Sequence, residues 1–345
     1  MNMSDLRLED IAKKAGVSRS TVSRVVNNQP NVSEAARKKV MEVIKMTGFS
    51  PNAAARTLVS QRSNTIGLVL PHSVSTFFTD PYYPHLIKGI SQACNHYDFT
   101  LALFVAESKE YQEKLLPRLS SRGFLDGVIL QSGHHADQSL ILDLKRTNLP
   151  LLVAGRPLNE EDVCFIDIDN VAAAEKAVRH LINNGRKKIA TITGPLTSTV
   201  GLDRMNGYRN AIGDSSQKLM DDFIQESDFT EIGGYKAMKK LLELHPDAIF
   251  AASDMMAIGA IRAIRDSGQE IPNDIAVVGF DDLPIPAVNE LQLTTIRQPV
   301  VQFGFKAVET LIELIENDSP IVKKVLMDTE LIVRKSCGFI KNNDW

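Results

Sequence analysis

Between Thr65 and Asp282 short, continuously apolar runs alternate with helical segments, and this rhythm restricts the fold more than any other feature of the chain. TIGLVLP (65–71), TLALFVA (100–106), LDGVILQS (125–132) and LPLLVAG (149–155) form a first series, with helices expected over 82–98, 109–122 and 138–147. A second series opens at VCFIDID (163–169). It runs through a helix over 170–184, KIATITG (188–194), a helix over 203–213, DAIFAAS (247–253) and IAVVGFDD (275–282). A strand that is apolar throughout has no face to offer water, so each series predicts a parallel sheet covered by helices on both sides. Two series predict two doubly wound lobes. Ligands of such sheets bind outside the carboxyl ends of the strands, here where the lobes face each other.

Those strand ends carry a recurring chemistry. Phe77, Phe78, Asp80, Tyr82 and Tyr83 follow the first strand, Gln131 and Ser132 end the third, and Arg156 follows the fourth. Asp167, Asp169 and Asn170 end the fifth, Arg204 follows the GPLTS loop, Asp254 follows AAS, and Asp281 and Asp282 follow VVGF. Carboxylates and arginines make paired hydrogen bonds and aromatic rings cover C–H faces, a combination suited to a polyhydroxylated ligand. Asp254 and Asp169 also stand where a helix needs an N-cap, and Tyr82 or Tyr83 would fit a core.

The first 49 residues have a different period. LEDIAKKA (8–15), RSTVSRVVNN (19–28) and EAARKKVMEVIKMTG (34–48) read as three helices, the first with Leu8, Ile11, Ala12 and Ala15 on one face. Gly16 stands where a sharp inter-helix turn needs a positive φ. Ser18 can cap the second helix and Ser33 the third. Small Ala12, the Gly16 turn and Val22 beneath it match a helix-turn-helix, whose second helix enters the major groove of DNA; an ordinary three-helix subdomain is the alternative. On its outer arc lie Arg19, Ser20, Ser23 and Arg24. Arg19 and Arg24 can each donate a bidentate pair to a guanine and Ser20 can bond to either base type, while Thr21, Ser23 and Asn27 suit phosphates.

Between head and body lies SPNAAARTLVSQRS (50–63), which has helix-forming residues but, in Leu58, only one large apolar side chain to bury. A helix this short is unstable alone in water. The segment is either a passive linker or a helix that forms only when something else supports it.

Charge separates head from body. Residues 1–62 hold eleven cations against five acids, a net of +6, so the rest of the chain carries −9 of a total of −3. A basic head on an acidic body points to a polyanion partner for the head. No apolar run is long enough to span a membrane, and MNMSDLRLEDIAKK carries charges where a signal peptide needs its apolar core, so a cytoplasmic protein is expected. Cys94, Cys164 and Cys337 lack any CxxC spacing, as expected of reduced thiols. No HExxH, GxSxG or phosphate-binding glycine motif occurs. His134 and His135 are adjacent in a predicted loop without helical i,i+4 spacing. Neither an enzyme, nor a metal site, nor a cofactor is expected.

Taken together, IAKKAGVSRSTVSRVVNN, GFSPNAAARTL, GPLTSTVGLDRMNGY, SDMMAIGAIRAIRDSGQEIPNDIAVVGFDD and LTTIRQPV resemble the LacI/GalR family of transcriptional regulators over essentially the whole chain. The resemblance implies a helix-turn-helix headpiece (1–49), a hinge helix (50–63) and an effector-binding and dimerisation domain (64–345) resembling periplasmic sugar-binding proteins. It implies interlobe crossings near 160–166, 290–297 and 322–328, an N-lobe of about 64–162 with 296–325, and a C-lobe of about 163–295 with 326–345. A homodimer would bind a pseudo-palindromic operator as a repressor, and a small effector in the cleft would tune its affinity. The implied DNA contacts are Arg19, Ser20, Thr21, Ser23, Arg24, Asn27, Ala55 and Leu58. The implied effector contacts are Phe77, Asp80, Tyr82, Arg156, Asp169, Arg204, Asp254 and Asp281. The commonest family version has Asn in place of Asp80. The aromatic cluster favours a sugar, such as a disaccharide or glucoside, although a purine corepressor would stack on the same rings. A sugar-binding protein without regulatory role is the further alternative.

Overall fold

The computed structural model describes residues 6–26, 31–49, 62–71, 78–121, 123–132, 137–158, 162–215, 219–317 and 321–338. They fall into two compact units, one up to Ser63 and one from Asn64 onward.

The head contains α1 (Leu8–Ala15), α2 (Arg19–Val26) and α3 (Glu34–Thr47). Gly16 (φ 65°) and Gly48 (φ 63°) occupy the left-handed conformation that ends α1 and α3. The Ser18 hydroxyl accepts the Thr21 amide at 3.1 Å, and that of Ser33 accepts the Ala36 amide at 3.4 Å. Ile11, Ala12, Val22, Val25, Val40, Val43 and Phe49 close a small core.

Among the described residues the larger unit holds two six-stranded sheets. The first comprises β1 (Thr65–Leu70), β2 (Thr100–Val105), β3 (Gly127–Gln131), β4 (Leu151–Ala154), β5 (Cys164–Ile168) and, late in the chain, residues Lys324–Met327. Its spatial order is Lys324–Met327, β5, β4, β3, β1, β2, all parallel. The second sheet comprises β6 (Ile189–Thr193), β7 (Ile224–Glu226), β8 (Ala248–Ala251), β9 (Ala276–Asp281), β10 (Thr294–Arg297) and Glu330–Ile332. Its order is β7, β6, β8, β9, β10, Glu330–Ile332, and the last strand is antiparallel. In chain order the two late strands are β11 (Lys324–Met327) and β12 (Glu330–Ile332).

β1 to β5 in the first sheet and β6 to β10 in the second share the doubly wound order 2-1-3-4-5. Their switch points, between β1 and β3 and between β6 and β8, open a crevice at the carboxyl ends of the strands. The central strands are buried as expected, but β2 is half exposed because it is an edge strand, with a neighbour on one side only. β5 belongs to the first sheet rather than opening the second. An apolar run reveals that a strand is buried but not which sheet it joins, and here Leu152 pairs with Cys164 and Lys324 with Phe165.

Helices α4 (Tyr82–His96), α5 (Lys109–Leu119) and α6 (Gln138–Lys145) belong to the first lobe. In the second, α7 (Asn170–Asn183), α8 (Thr199–Gly213), α9 (Glu231–Leu242), α10 (Asp254–Asp266) and α11 (Pro286–Glu290) follow. α12 (Val300–Glu316) returns to the first lobe and packs on α4. Gly89 and Gly304 make this approach possible, since a Cβ on either would strike the facing backbone at Val301 or Leu86. The chain therefore passes between lobes at 168–170, 297–300 and 327–330, each a few residues later than the resemblance implied. Helix α8 begins at Thr199 rather than 203 because the Ser198 hydroxyl accepts the Gly201 amide at 3.0 Å.

Candidate functional site

On the head, Arg19, Ser20 and Arg24 are exposed on one side of α2, and Thr21 and Ser23 are half-buried beside them. The opposite side is anchored by Val22, which is 0% exposed. Arg19 Nε lies 2.8 Å from Glu9 Oε1, an exposed ion pair of the kind that contributes little to stability. The hydroxyls of Ser20 and Thr21 are each 2.8 Å from that of Ser18, which ties them to the cap. Two guanidinium groups and short hydroxyls thus share one exposed surface. Asn27, Ala55 and Leu58 lie outside the described residues.

In the larger unit both sets of strand ends converge on one cavity. From the first lobe come Asp80, Tyr82 and Tyr83 after β1, Gln131 and Ser132 from β3, Ala154 and Gly155 from β4, Asp167 from β5 and Phe303 from α12. From the second come Asn170, Ser198, Val200, Arg204, Phe229, Ser253, Met255 and Asp281, with Gln298 at the chain passage. Gly155 has φ 105°, and a Cβ there would collide with the Ser132 carbonyl, so only glycine lets the ends of β3 and β4 meet this closely.

Arg204 is 5% exposed. Its Nε donates to Asn170 Oδ1 at 2.9 Å and its Nη1 to the Ala252 carbonyl at 2.6 Å, with Asp281 Oδ1 at 3.6 Å. Burial pushes its pKa down, against the opposing pull of Asp281 and Asp167. Asp281 accepts from Gln298 Nε2 at 2.5 Å and has φ 121°, a strained value for a residue with a side chain. Burial raises the pKa of Asp281 and Asp167 to about 6, and that of Asp80 above its ordinary value, even though Arg204 opposes each shift. Asp80 Oδ1 also accepts the Tyr82 amide at 2.9 Å. The cavity thus sets one cation among three carboxylates, with neutral amides and hydroxyls between them and the rings of Tyr82, Tyr83, Phe229 and Phe303 as apolar walls.

Of the eight effector positions read from the sequence, Asp80, Tyr82, Arg204 and Asp281 line this cavity. Three of the others do not line it. Asp169 is exposed and caps α7, accepting the Ala172 amide at 2.9 Å. Asp254 is 0% exposed, and its Oδ1 accepts from Thr295 Oγ1 at 2.6 Å. Burial and the neighbouring Asp281 raise its pKa well above the ordinary range. Arg156 is paired with Asp203. Phe77 lies outside the described residues, as do His134 and His135. Tyr83, Gln131, Ser132, Asp167 and Asn170 stand after or at strand ends in the sequence and line the cavity without being among the implied contacts. Ser198, Ser253, Phe229, Gln298 and Phe303 also line it and are not marked by the strand-end pattern. Ser198 and Ser253 carry a local signal, since each caps a helix that follows a strand. Phe229, Gln298 and Phe303 reach the cavity from loops or from the returning helix and carry none.

Residues 7–52 match the family described as bacterial regulatory proteins, lacI family, and residues 178–337 match a periplasmic binding protein-like domain. The chain is 37% identical to the HTH-type transcriptional regulator CelR of Thermobifida fusca, over 95% of this chain and 97% of that one. It is 34% identical to catabolite control protein A of Priestia megaterium, over 92% and 96%. Among solved structures it resembles a CelR–cellobiose complex (TM-score 0.75, 34% identity, 96% and 99% covered). It also resembles a lac repressor dimer bound to operator and an anti-inducer (TM-score 0.82, 26% identity, 96% and 99% covered). A helix-turn-helix head, a two-lobed body with its cleft at the strand ends, and likeness to these regulators along nearly the whole length have one meaning: the chain belongs to the LacI family of DNA-binding transcriptional regulators and is not an enzyme.

Proposed function

We propose that the protein is a homodimeric repressor of a pseudo-palindromic operator, and that a sugar or glucoside bound between the lobes controls its DNA affinity. The observation that carries the effector reading is the convergence of Asp80, Asp167, Asp281 and Arg204 with four aromatic rings in one interlobe cavity. Vicinal hydroxyls donate to carboxylates and accept from a guanidinium, and apolar rings cover the C–H faces of a pyranose. The cellobiose bound by the related CelR supports the same class of ligand.

The head reads DNA through Arg19, Ser20 and Arg24, with Thr21, Ser23 and Asn27 on phosphates. Residues 50–63 act as a hinge that becomes helical on DNA, with Ala55 at the paired contact and Leu58 as the wedge. A ligand that favours one spacing of the two N-lobes then shifts operator affinity by its differential binding to the two states. A thermal-shift panel of sugars and purines tests the effector class, because a ligand of the native state alone raises Tm. Any responding ligand is then titrated into an operator mobility-shift assay. A rise in Tm with cellobiose or another glucoside is expected, and a response confined to purines overturns the sugar reading.

A further inference from the structure

Arg156 follows β4 in the first lobe and Asp203 lies on α8 in the second. Their contact is bidentate: Nη2 donates to Oδ1 at 2.7 Å and Oδ2 at 2.9 Å, and Nε donates to Oδ2 at 3.1 Å. The Asp203 side chain is 12% exposed and that of Arg156 37%, so the pair is better shielded than an ordinary surface ion pair. The backbone of Arg156 joins the same contact. Its carbonyl accepts from Thr199 Oγ1 of the second lobe at 2.8 Å, and its amide donates to Asp167 Oδ2 of the first lobe at 2.9 Å. One residue is therefore fixed to its own sheet on one side and bonded to the opposite lobe on the other.

The connection continues into the cavity. Asp167 Oδ1 accepts from Asn170 Nδ2 at 3.2 Å, and Asn170 Oδ1 accepts from Arg204 Nε at 2.9 Å. Asp167, Asn170 and Arg204 line the cavity, whereas Arg156 and Asp203 do not. From this arrangement we infer that Arg156 and Asp203 form an interlobe clasp that sets how tightly the cleft holds its effector, without either side chain touching it. The pair are positioning residues. Opening the cleft separates both lobes' shares of the cavity wall and exchanges the Arg156–Asp203 and Arg156–Thr199 bonds for water. The clasp thereby fixes the fraction of molecules in the binding-competent closed state, and effector affinity scales with that fraction. Its existence does not depend on the effector reading above; only the ligand it controls does.

Hydrogen exchange on the unliganded full-length protein tests the clasp directly. Asp203→Asn and Arg156→Gln should each speed exchange in residues 154–158 and 198–204 while leaving β1 and β8 unchanged. Unchanged exchange at 154–158 and 198–204 overturns the clasp, as does equal acceleration throughout both lobes, which marks a loss of general stability. Calorimetry with cellobiose then separates control from contact. Each single variant should weaken binding roughly three- to tenfold, and the double variant should be no weaker than either alone. Arg156→Lys should fall between wild type and Arg156→Gln, because an ammonium cannot reproduce the fork. Additive losses, or a loss with Arg156→Gln and none with Asp203→Asn, would make Arg156 a direct ligand contact and overturn the proposal. If wild-type protein ignores cellobiose while the two variants show the exchange changes, cellobiose is refuted as effector and the clasp stands.

Discussion

The guanidinium carbon of Arg204 lies 3.6 Å from the ring centroid of Phe280, so the cation of the cleft rests on the aromatic residue that immediately precedes Asp281. Stacking fixes the plane of the fork, and the bonds to Asn170 and the Ala252 carbonyl fix its rotation. A lysine can satisfy neither requirement. Arg204→Lys should reduce affinity for the sugar identified by thermal shift roughly 10- to 100-fold, the loss typical of one or two charge-assisted hydrogen bonds. Calorimetry checks this, and an affinity within twofold of wild type would remove Arg204 from the binding set.

Effector binding should be linked to protons. Burial lifts Asp167 from 3.8 to about 6 and raises Asp281 in the same direction. A ligand that donates hydroxyls to these groups favours their ionised forms, so binding should release protons near pH 6 and weaken as pH falls from 7 to 5. Comparing calorimetric heats in two buffers of different ionisation enthalpy measures the release, which should shrink in Asp167→Asn. Stability follows the opposite sign. The folded state holds the Asp167 proton more tightly than the unfolded chain, so between about 4 and 6 this group favours the fold as pH falls and disfavours it as pH rises.

Gly89→Ala should lower stability by about 1–3 kcal/mol through overpacking. The added Cβ would meet the Val301 carbonyl and force α4 away from α12. A thermal melt reads this as a lower Tm, and an unchanged melt would mean that the two helices slide apart without cost.

On DNA, Arg24→Ala should cost about 1–3 kcal/mol and relax preference at one base pair of each half-site. A uniform loss on all sequences would assign Arg24 to phosphate instead. Leu58→Ala should weaken operator binding and leave effector binding unchanged, which a paired mobility-shift and calorimetric measurement can establish.

The architecture was legible because each lobe announces itself in apolar runs, and the head in the offsets of Ala12, Gly16 and Val22. What the runs could not convey was membership. β5 looks like any other buried strand, and only its pairing with β4 and β11 assigns it to the first sheet. At the site, Asp80, Arg204 and Asp281 were readable because they stand in the segments after β1 and β6 and at the end of β9. Asp169 and Asp254 were misleading for the same reason, since a carboxylate after a strand serves equally well as a cap or as a buried partner for Thr295. Phe303 was invisible, because its helix reaches the first lobe only after the chain has passed through the second.

That late return governs the order in which the protein can be made. When the ribosome has delivered β1 to β5, the first lobe still lacks α12, which covers α4, and β11, which flanks β5. Its apolar face around Leu86 and Ile90 must wait for Phe303, Ala307 and Leu311, about 200 residues later in the sequence and, at 5–20 residues per second, on the order of 10–40 s later in synthesis. The second lobe lies almost wholly within that interval, lacking only β12 and the buried Cys337 that follow β11. The first lobe, begun first, is completed only when most of the second has already been made.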